Sequence, residues 1–503
     1  MENGKRVLIA PTKYGSLFCE MGTGKEASSN NLVIDENRMQ GNKAPQYIAA
    51  LSVCLGSVAA GTVLGWTSNI DLTKGILNNL EITMNQVSWI GSMATLGGLL
   101  VCVPIGYYCD IVGRKLAMLS MIILFSLGWL LIIFANSVTM IYLGRLITGM
   151  AGGAFCIAAP MYTSEIAEKE IRGTLGSYFQ LLLTVGILIS NVLGAYVDIK
   201  TFSILCFCIP LVFGAVFFFQ PETPIYSLKK GKEDDARKAL RRLRGPDYDV
   251  DSELKELKQQ IESAEQNQIS LKESLKKKAT KKAFVISFGL MMFQQLSGIN
   301  AVIFFTSTIF KQAGANFSFS PTIIVGIMQV IATFVSSIVV DKFGRKILLI
   351  GSDSMMALSS VALGIYFTLQ DRHILNEDQI STISFLPVLS LCVFIIVFSL
   401  GFGPIPWMIS SEVFPPEIKS VASSAAGTFN WFLAFIVTAY YQPLTSLVGA
   451  DVTFYMFTLI SFTGSLFVFF VVPETKGKTM NEIQNELNGE QINSNGVENK
   501  AYS

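Results

Sequence analysis

Three observations predict an all-α integral membrane protein, with twelve transmembrane helices in two pseudo-symmetric six-helix halves. Charged residues make up only 15% of the 503 residues and apolar ones 51%, whereas a soluble protein carries about 25% charged residues. Twelve apolar stretches are each long enough, at about 20 residues, to cross a bilayer. Three short polar motifs recur in the same order behind equivalent stretches of the two halves. A net charge of +1 excludes a basic nucleic-acid binder, and the apolar content excludes a disordered chain.

The first six spans fall at 47–69, 86–108, 115–135, 138–160, 173–196 and 201–219; the last six at 283–307, 319–340, 347–369, 385–409, 420–441 and 451–472. They divide the chain into an N-terminal tail (1–46), a first half (47–219), a polar linker (220–282), a second half (283–472) and a C-terminal tail (473–503). In the linker, Glu233–Arg244 and Ser252–Glu265 read as amphipathic helices whose charges form a solvated face, with lipid headgroups as the second reading. No cleavable signal peptide is expected, because Val7–Ala10 is the only apolar run near the start and is too short for one. Of the 38 Lys and Arg, 33 fall on one side of the spans, four on the other, and Arg145 lies inside. Basic residues accumulate on the cytoplasmic side, so both termini are expected there. The eight cysteines lie in the N-tail or in and beside spans, where no disulfide framework is expected. Asn316-Phe317-Ser318, the single glycosylation sequon, falls in the outer connection after span seven, so Asn316 is a candidate acceptor.

The repeat is carried by residues at helix ends. Asp110-x-x-Gly113-Arg114-Lys115 follows span two, and Asp341-x-x-Gly344-Arg345-Lys346 follows span eight. Glu165 and Arg172 follow span four; Glu412 and Lys419 follow span ten with the same spacing. Pro221-Glu222-Thr223 and Pro473-Glu474-Thr475 follow spans six and twelve. The offsets are 231, 247 and 252 residues, all on the cytoplasmic side. Two homologous halves with a site between them is the plan of secondary transporters. In that plan, acids and bases on neighbouring helix ends form ion pairs that hold the inner side shut and break when it opens. Anchoring by basic residues alone explains the Lys and Arg but not the matched acids.

Polar groups inside spans are costly and therefore informative. Uncharged amides dominate them: Gln180, Asn191, Gln294, Gln295, Asn300, Gln329 and Asn430. An amide donates and accepts at once, which suits hydroxyls that do both, although amides also serve as glue between helices. Trp407 and Trp431 offer flat apolar faces for the C–H side of a sugar ring. The only intramembrane charges are Arg145 and Asp353, the latter near the inner end of span nine and read as a helix cap, with a mid-membrane proton acceptor as the second reading. So little counter-charge points to a neutral, polyhydroxylated solute. Span ten carries Gly401-Phe402-Gly403-Pro404-Ile405-Pro406-Trp407; its prolines Pro404 and Pro406 remove backbone hydrogen bonds and allow a moving gate or a fixed kink.

Over about residues 45–480 the chain resembles the sugar porters of the major facilitator superfamily, in the facilitative hexose-transporter branch. The resemblance rests on Asp110–Lys115, Gly144-Arg145, Glu165–Arg172, Pro221-Glu222-Thr223, the run Gln294–Asn300, Gly403–Trp407 and Pro473–Gly477. The run Gln294–Phe305 is most similar to the insect facilitated trehalose transporters. The resemblance implies a major facilitator fold, with sugar contacts at Gln180, Gln294, Gln295, Asn300, Trp407 and Asn430. Gln329 stands where glucose carriers often have Asn, and Phe304-Phe305 stands at the outer aromatic lid, often Tyr-Tyr. The implied gating set is Asp110, Arg114, Arg145, Glu165, Arg172, Phe304, Phe305, Pro404, Pro406, Asp341, Arg345, Glu412 and Lys419. Ile111, Ser399, Ile225 and Lys419 depart from the family pattern, which bears on glucose selectivity and on the strength of single gate pairs.

Proton-driven relatives carry an Asp in span one after a Gly-aromatic pair; here Gly61-Thr62-Val63 has Val63 at that position. A uniporter of trehalose or a hexose such as glucose is therefore expected in the plasma membrane, working as a monomer without cofactor, metal or nucleic acid. A proton-coupled symporter and a non-transporting sensor are the alternatives, although sensors of this kind have longer cytoplasmic tails. An enzyme is not expected: His373 is the single histidine, and Gly22–Glu26 lacks the first Gly, the Ser/Thr and the preceding strand of a phosphate loop.

Overall fold

A computed structural model describes residues 41–69, 80, 82–168, 170–246, 248–266, 274–314, 320–415, 418–478 and 480–488. Asn316 lies outside the described residues, and so does the side chain of Asp341. Among the described residues, twelve helices are long and apolar enough to cross a membrane. In the first half they are Lys43–Trp66, Met84–Val112, Arg114–Ile133, Val138–Ile166, Arg172–Tyr196 and Ile199–Phe217. In the second they are Lys278–Gln312, Pro321–Val340, Arg345–Asp371, Leu386–Val413, Val421–Val448 and Ala450–Val471.

Several helices outrun the apolar stretches at one end. Span four continues to Ile166 and carries Glu165 as part of its last turn, and span seven begins at Lys278. Hydropathy marks only the stretch that lipid can surround, while the hydrogen-bonded ladder continues into polar sequence. Entry points have local causes. Thr83 and Gln86 form a capping box ahead of span two, and the Ser137 and Asp198 side chains cap spans four and six. Each cap satisfies N–H groups that the first turn leaves unpaired.

Spans two and three are joined by Gly113 alone, and spans eight and nine by Gly344 alone, with φ at 101° and 90°. A left-handed residue turns the chain sharply without a loop, and glycine adopts it without steric cost.

The packing repeats between halves. Span one lies against five, two against four and three against six; seven lies against eleven, eight against ten and nine against twelve. Across the interface span two meets eleven and span five meets eight, the two contacts related by the same pseudo-symmetry. The duplication visible in three motifs therefore governs the whole bundle.

Two spans are broken. Span seven divides at Ser297-Gly298 into Lys278–Leu296 and Ile299–Gln312, with Gly298 at φ 90°. Span ten divides at Gly401–Pro404 into Leu386–Leu400 and Ile405–Val413. Pro404 and Pro406 open the second piece instead of kinking a continuous helix. At the first helical positions a missing N–H costs nothing.

In the linker, Glu233–Arg244 and Val250–Gln266 are helical, and a short helix, Pro224–Lys229, precedes them. The solvated-face reading holds for exposed Glu233, Asp235 and Lys238 but not for Arg244. Its side chain is only 3% exposed; it pairs with Glu168 at 3.3 Å and Glu253 at 2.9 Å and donates to the Ile166 carbonyl at 2.8 Å. A buried guanidinium needs such partners, and these tie the linker to the end of span four.

Candidate functional site

The amides of spans seven and eleven form one chain of hydrogen bonds. Asn300 donates to Gln295 Oε1 at 2.5 Å, and Gln295 Nε2 donates to Asn430 Oδ1 at 2.9 Å. Asn430 Nδ2 donates to Gln294 Oε1 at 2.7 Å. Gln294 Nε2 then donates to the carbonyls of Phe402 at 2.6 Å and Gly403 at 3.0 Å. The break in span seven permits this convergence: Gly298 starts a new helix, and Asn300 in its first turn reaches back to Gln295. The break in span ten supplies the last acceptors, because carbonyls in an unwound turn lack the partners of a continuous helix. Gln294, Gln295 and Asn430 are buried, at 3%, 6% and 5% exposure.

The remaining amides behave differently. Gln180, half-buried on span five, and Gln329, buried on span eight, make no side-chain hydrogen bond among the described residues. Their donors and acceptors are unspent. Asn191 donates to the Thr322 carbonyl at 3.2 Å and stitches span five to span eight. Trp407 is 44% exposed and lies over Gly427. Trp431 is not a free apolar face: its ring lies against Gly98 of span two, where a Cβ would stand 2.6 Å away.

Sequence reading had no signal for the Phe402 and Gly403 carbonyls, since a backbone acceptor leaves no trace in residue type. It also missed Ser352 of span nine, whose hydroxyl donates to the Val397 carbonyl at 2.7 Å and accepts from Phe402 N–H at 3.2 Å. Ser352 and Gln294 thus hold the broken turn of span ten from two sides.

Asp353 corrects the reading of a helix cap. It sits eight residues past Arg345, about 12 Å along the helix, and is fully buried against Gly464 of span twelve.

Arg145 is fully buried. It donates to the carbonyls of Val63 at 2.8 Å and Ile90 at 3.2 Å and to Thr67 Oγ1 at 2.9 Å, and its guanidinium lies 5.3 Å from the Trp66 ring. Neutral oxygens and a π face, in place of a carboxylate, meet its charge. Val63 contributes only its backbone.

The charged motifs gather at one end of the bundle, each set inside its own half. In the first, Arg114 pairs with Asp110 at 2.9 Å and Glu165 at 3.0 Å and donates to the Cys109 carbonyl at 3.2 Å. Glu222 accepts from the backbone N–H groups of Arg114, Lys115 and Thr223 at 2.8–3.2 Å. In the second, Arg345 pairs with Glu412 at 3.5 Å, and Glu474 accepts from the backbone N–H groups of Arg345, Lys346 and Lys476. Burial pushes the Glu222 carboxyl up, against the pull of the N–H groups that face it. Burial also acts on Glu474, but its backbone N–H donors outweigh it and hold that carboxyl below the usual range.

These pairs join helices within a half, so each makes one half rigid instead of bridging the two. Arg172 donates to the Ala167 carbonyl at 3.4 Å, and Lys419 is exposed at the start of its helix.

The halves meet at the opposite end. Thr95 and Thr438 share a hydrogen bond at 3.1 Å, Asn191 reaches Thr322, and Trp89 faces Phe435 at 6.4 Å. Phe304 and Phe305 are buried there, and Phe305, at a kink with φ −123°, stacks on Tyr441 at 5.2 Å.

A family model described as "Sugar (and other) transporter" matches residues 38–487. The facilitated trehalose transporter Tret1 of Drosophila willistoni is 40% identical over 449 residues, which cover 88% of this chain and 51% of that protein. Tret1 of Culex quinquefasciatus is 38% identical over 88% of this chain and 86% of its own length. The chain thus spans about half the length of the first relative and most of the second. The xylose transporter XylE from E. coli, in a partially occluded inward-open conformation, shares the fold with a TM-score of 0.71 at 22% identity, over 87% of this chain and 100% of that one. By the extent of these matches, the chain belongs to the sugar (and other) transporter family.

Proposed function

We infer that the protein is a facilitative carrier, a uniporter that moves a neutral sugar across the plasma membrane by alternating access. The substrate is trehalose or a hexose such as glucose; both termini are cytoplasmic, and the working unit is a monomer. The observation that carries this reading is the uncharged amide chain Asn300–Gln295–Asn430–Gln294, which ends on the broken turn of span ten. Sugar hydroxyls donate and accept as amides do, so they exchange with these bonds at little net cost. Gln180 on span five and Gln329 on span eight keep unspent donors and acceptors for such a ligand, and Trp407 supplies an exposed ring. A solute with full charge would find no counter-charge among these groups.

Facilitation is supported by Arg145, whose partners are neutral, and by Val63 where proton-driven relatives have a carboxylate. The basic side of the bundle carries the charged clusters, and positive residues collect on the cytoplasmic face. The contacts described above between the halves lie toward the other end, which supports reading this conformation as the inward-facing one.

Counterflow of labelled trehalose and of labelled glucose into vesicles containing the purified chain tests the carrier and selects the sugar. An imposed proton gradient tests facilitation: accumulation of sugar above equilibrium overturns the uniport.

A further inference from the structure

Asp353 is fully buried between spans nine and twelve, and neither of its carboxyl oxygens has a hydrogen-bond partner. The space it occupies has a definite make-up. At Gly464 a Cβ would stand 2.2 Å from Asp353 Oδ2, so glycine is the residue that leaves room for the carboxyl. Ser461, one turn before Gly464, brings a fully buried hydroxyl that is also unbonded. The Phe293 ring of span seven, 3.1 Å from the same Cβ position and tilted against Phe467 at 5.3 Å, closes the third side.

No cation pairs with Asp353 among the described residues. Span nine has Arg345 and Lys346 two turns toward the charged end, where Glu412 of span ten also lies, and Asp371 and Tyr366 toward the other end. Asp341 and Lys342 end the helix of span eight. Span twelve brings Asp451, engaged by Arg372, and Tyr455, both near its start, and span ten adds Cys392. The Lys residues of span seven, 278, 281 and 282, lie in its first two turns. An ionised carboxylate without partner or counter-charge is too costly at such a place. A neutral acid fits it, with its O–H offered to Ser461 Oγ.

We propose that Asp353 is a proton-binding site which this conformation holds in the neutral form, and that loss of the proton parts span nine from span twelve. Its neighbours carry the effect to the transport site, if the carrier reading above holds. Ser352, the preceding residue, secures the broken turn of span ten; Ser354, the following one, bonds Ser465 of span twelve at 2.8 Å. Phe293 directly precedes Gln294, the amide that grips the same turn. The proton is a regulator bound at equilibrium and not a driving ion, so its effect persists when the pH is equal on both sides.

The test is counterflow of labelled trehalose and glucose by the full chain in vesicles, at equal internal and external pH, from mildly acidic to mildly alkaline. Thermal unfolding is read at each pH. Wild type loses exchange and Tm on the alkaline side, by up to about tenfold in rate per pH unit past the midpoint. D353N, which imitates the neutral acid, keeps the acidic rate and has a flat profile in both readouts. S461A, which removes the hydroxyl that would donate to the carboxylate more strongly than it accepts from the acid, moves the alkaline loss to higher pH. Retention of the wild-type alkaline loss in D353N overturns the proposal, and so does an S461A profile that coincides with wild type. Should neither sugar show counterflow, the carrier reading fails, and the Tm profiles still decide whether Asp353 binds the proton.

Discussion

The charged ends of the two halves are built on one plan and held with different firmness. In the first half, Arg114 is 3% exposed, has two acidic partners and a carbonyl, and lies 5.5 Å from the Tyr226 ring. In the second, Arg345 is 13% exposed and Glu412 27%, and their contact is longer at 3.5 Å. The linker adds its buried Arg244 to the first half as a further tie. The broken spans, seven and ten, both belong to the second half. One duplicated sequence has thus become a stiff half and a half with two breaks, the natural division between a base and a moving part.

The sharpest way to break this comparison is to remove each arginine. R114A leaves Glu165, 11% exposed, without its counter-charge, and such a loss costs about 3–5 kcal/mol. R345A removes a more solvated pair, at 13% and 27% exposure, and should cost less. Thermal unfolding of the two variants should differ in that order, and equal losses would remove the distinction between the halves.

Next in size is N430A, in the middle of the amide chain. It strands Gln294 Oε1 and Gln295 Nε2, at about 1–3 kcal/mol for a buried group left unpaired. Sugar counterflow should fall by about tenfold or more on that scale, with unchanged amounts of folded protein. Q329A, whose side chain joins no such chain, should weaken sugar affinity alone.

The hinge glycines come third. G113A and G344A each force a left-handed residue, at about 1–2 kcal/mol. The added Cβ would stand 2.4 Å from Glu222 Oε2 in the first half and 2.8 Å from Glu474 Oε2 in the second. G113A should therefore lower Tm more, as measured side by side.

The smallest effect is on acidification. The Glu474 carboxyl lies below its ordinary range, so its stabilising contribution is present above that range and is lost as pH falls through its lowered value. The raised Glu222 carboxyl does the opposite: its burial penalty is full above its raised value and is relieved as pH falls toward the ordinary range. Hydrogen exchange of the Arg345 and Lys346 amides should rise in acid while that of Lys115 changes less, and E474Q should abolish the difference.

Much of this was legible in the sequence because it is written in residue type. Apolar length gave the twelve spans, and the matched motifs gave the repeat that the packing of spans one to twelve follows. The amides Gln294, Gln295, Asn300 and Asn430 do come together. Other features have no such mark. The break of span seven depends on Gly298 taking φ 90°, and a glycine in an apolar run reads equally as a packing residue. The grip of Gln294 on Phe402 and Gly403 ends on backbone oxygens. Asp353 lay near a helix end by count, and only the approach of Gly464 shows that it points into protein. The acids and bases expected to pair on neighbouring helix ends do so as Asp110–Arg114–Glu165 and Arg345–Glu412, each inside one half, an arrangement that residue type and spacing alone do not assign to one half or to the interface.

The seam at the lid end is made of neutral groups: two threonine hydroxyls, an asparagine and a carbonyl, and rings. The opposite end is built from ions. Dissolved electrolyte screens contacts between charges near water over about 8–10 Å and barely touches hydroxyl pairs or stacked rings. Ionic strength therefore softens the charged clusters, and the solvated Arg372–Asp451 pair at the lid end, while the neutral seam between the halves keeps its strength.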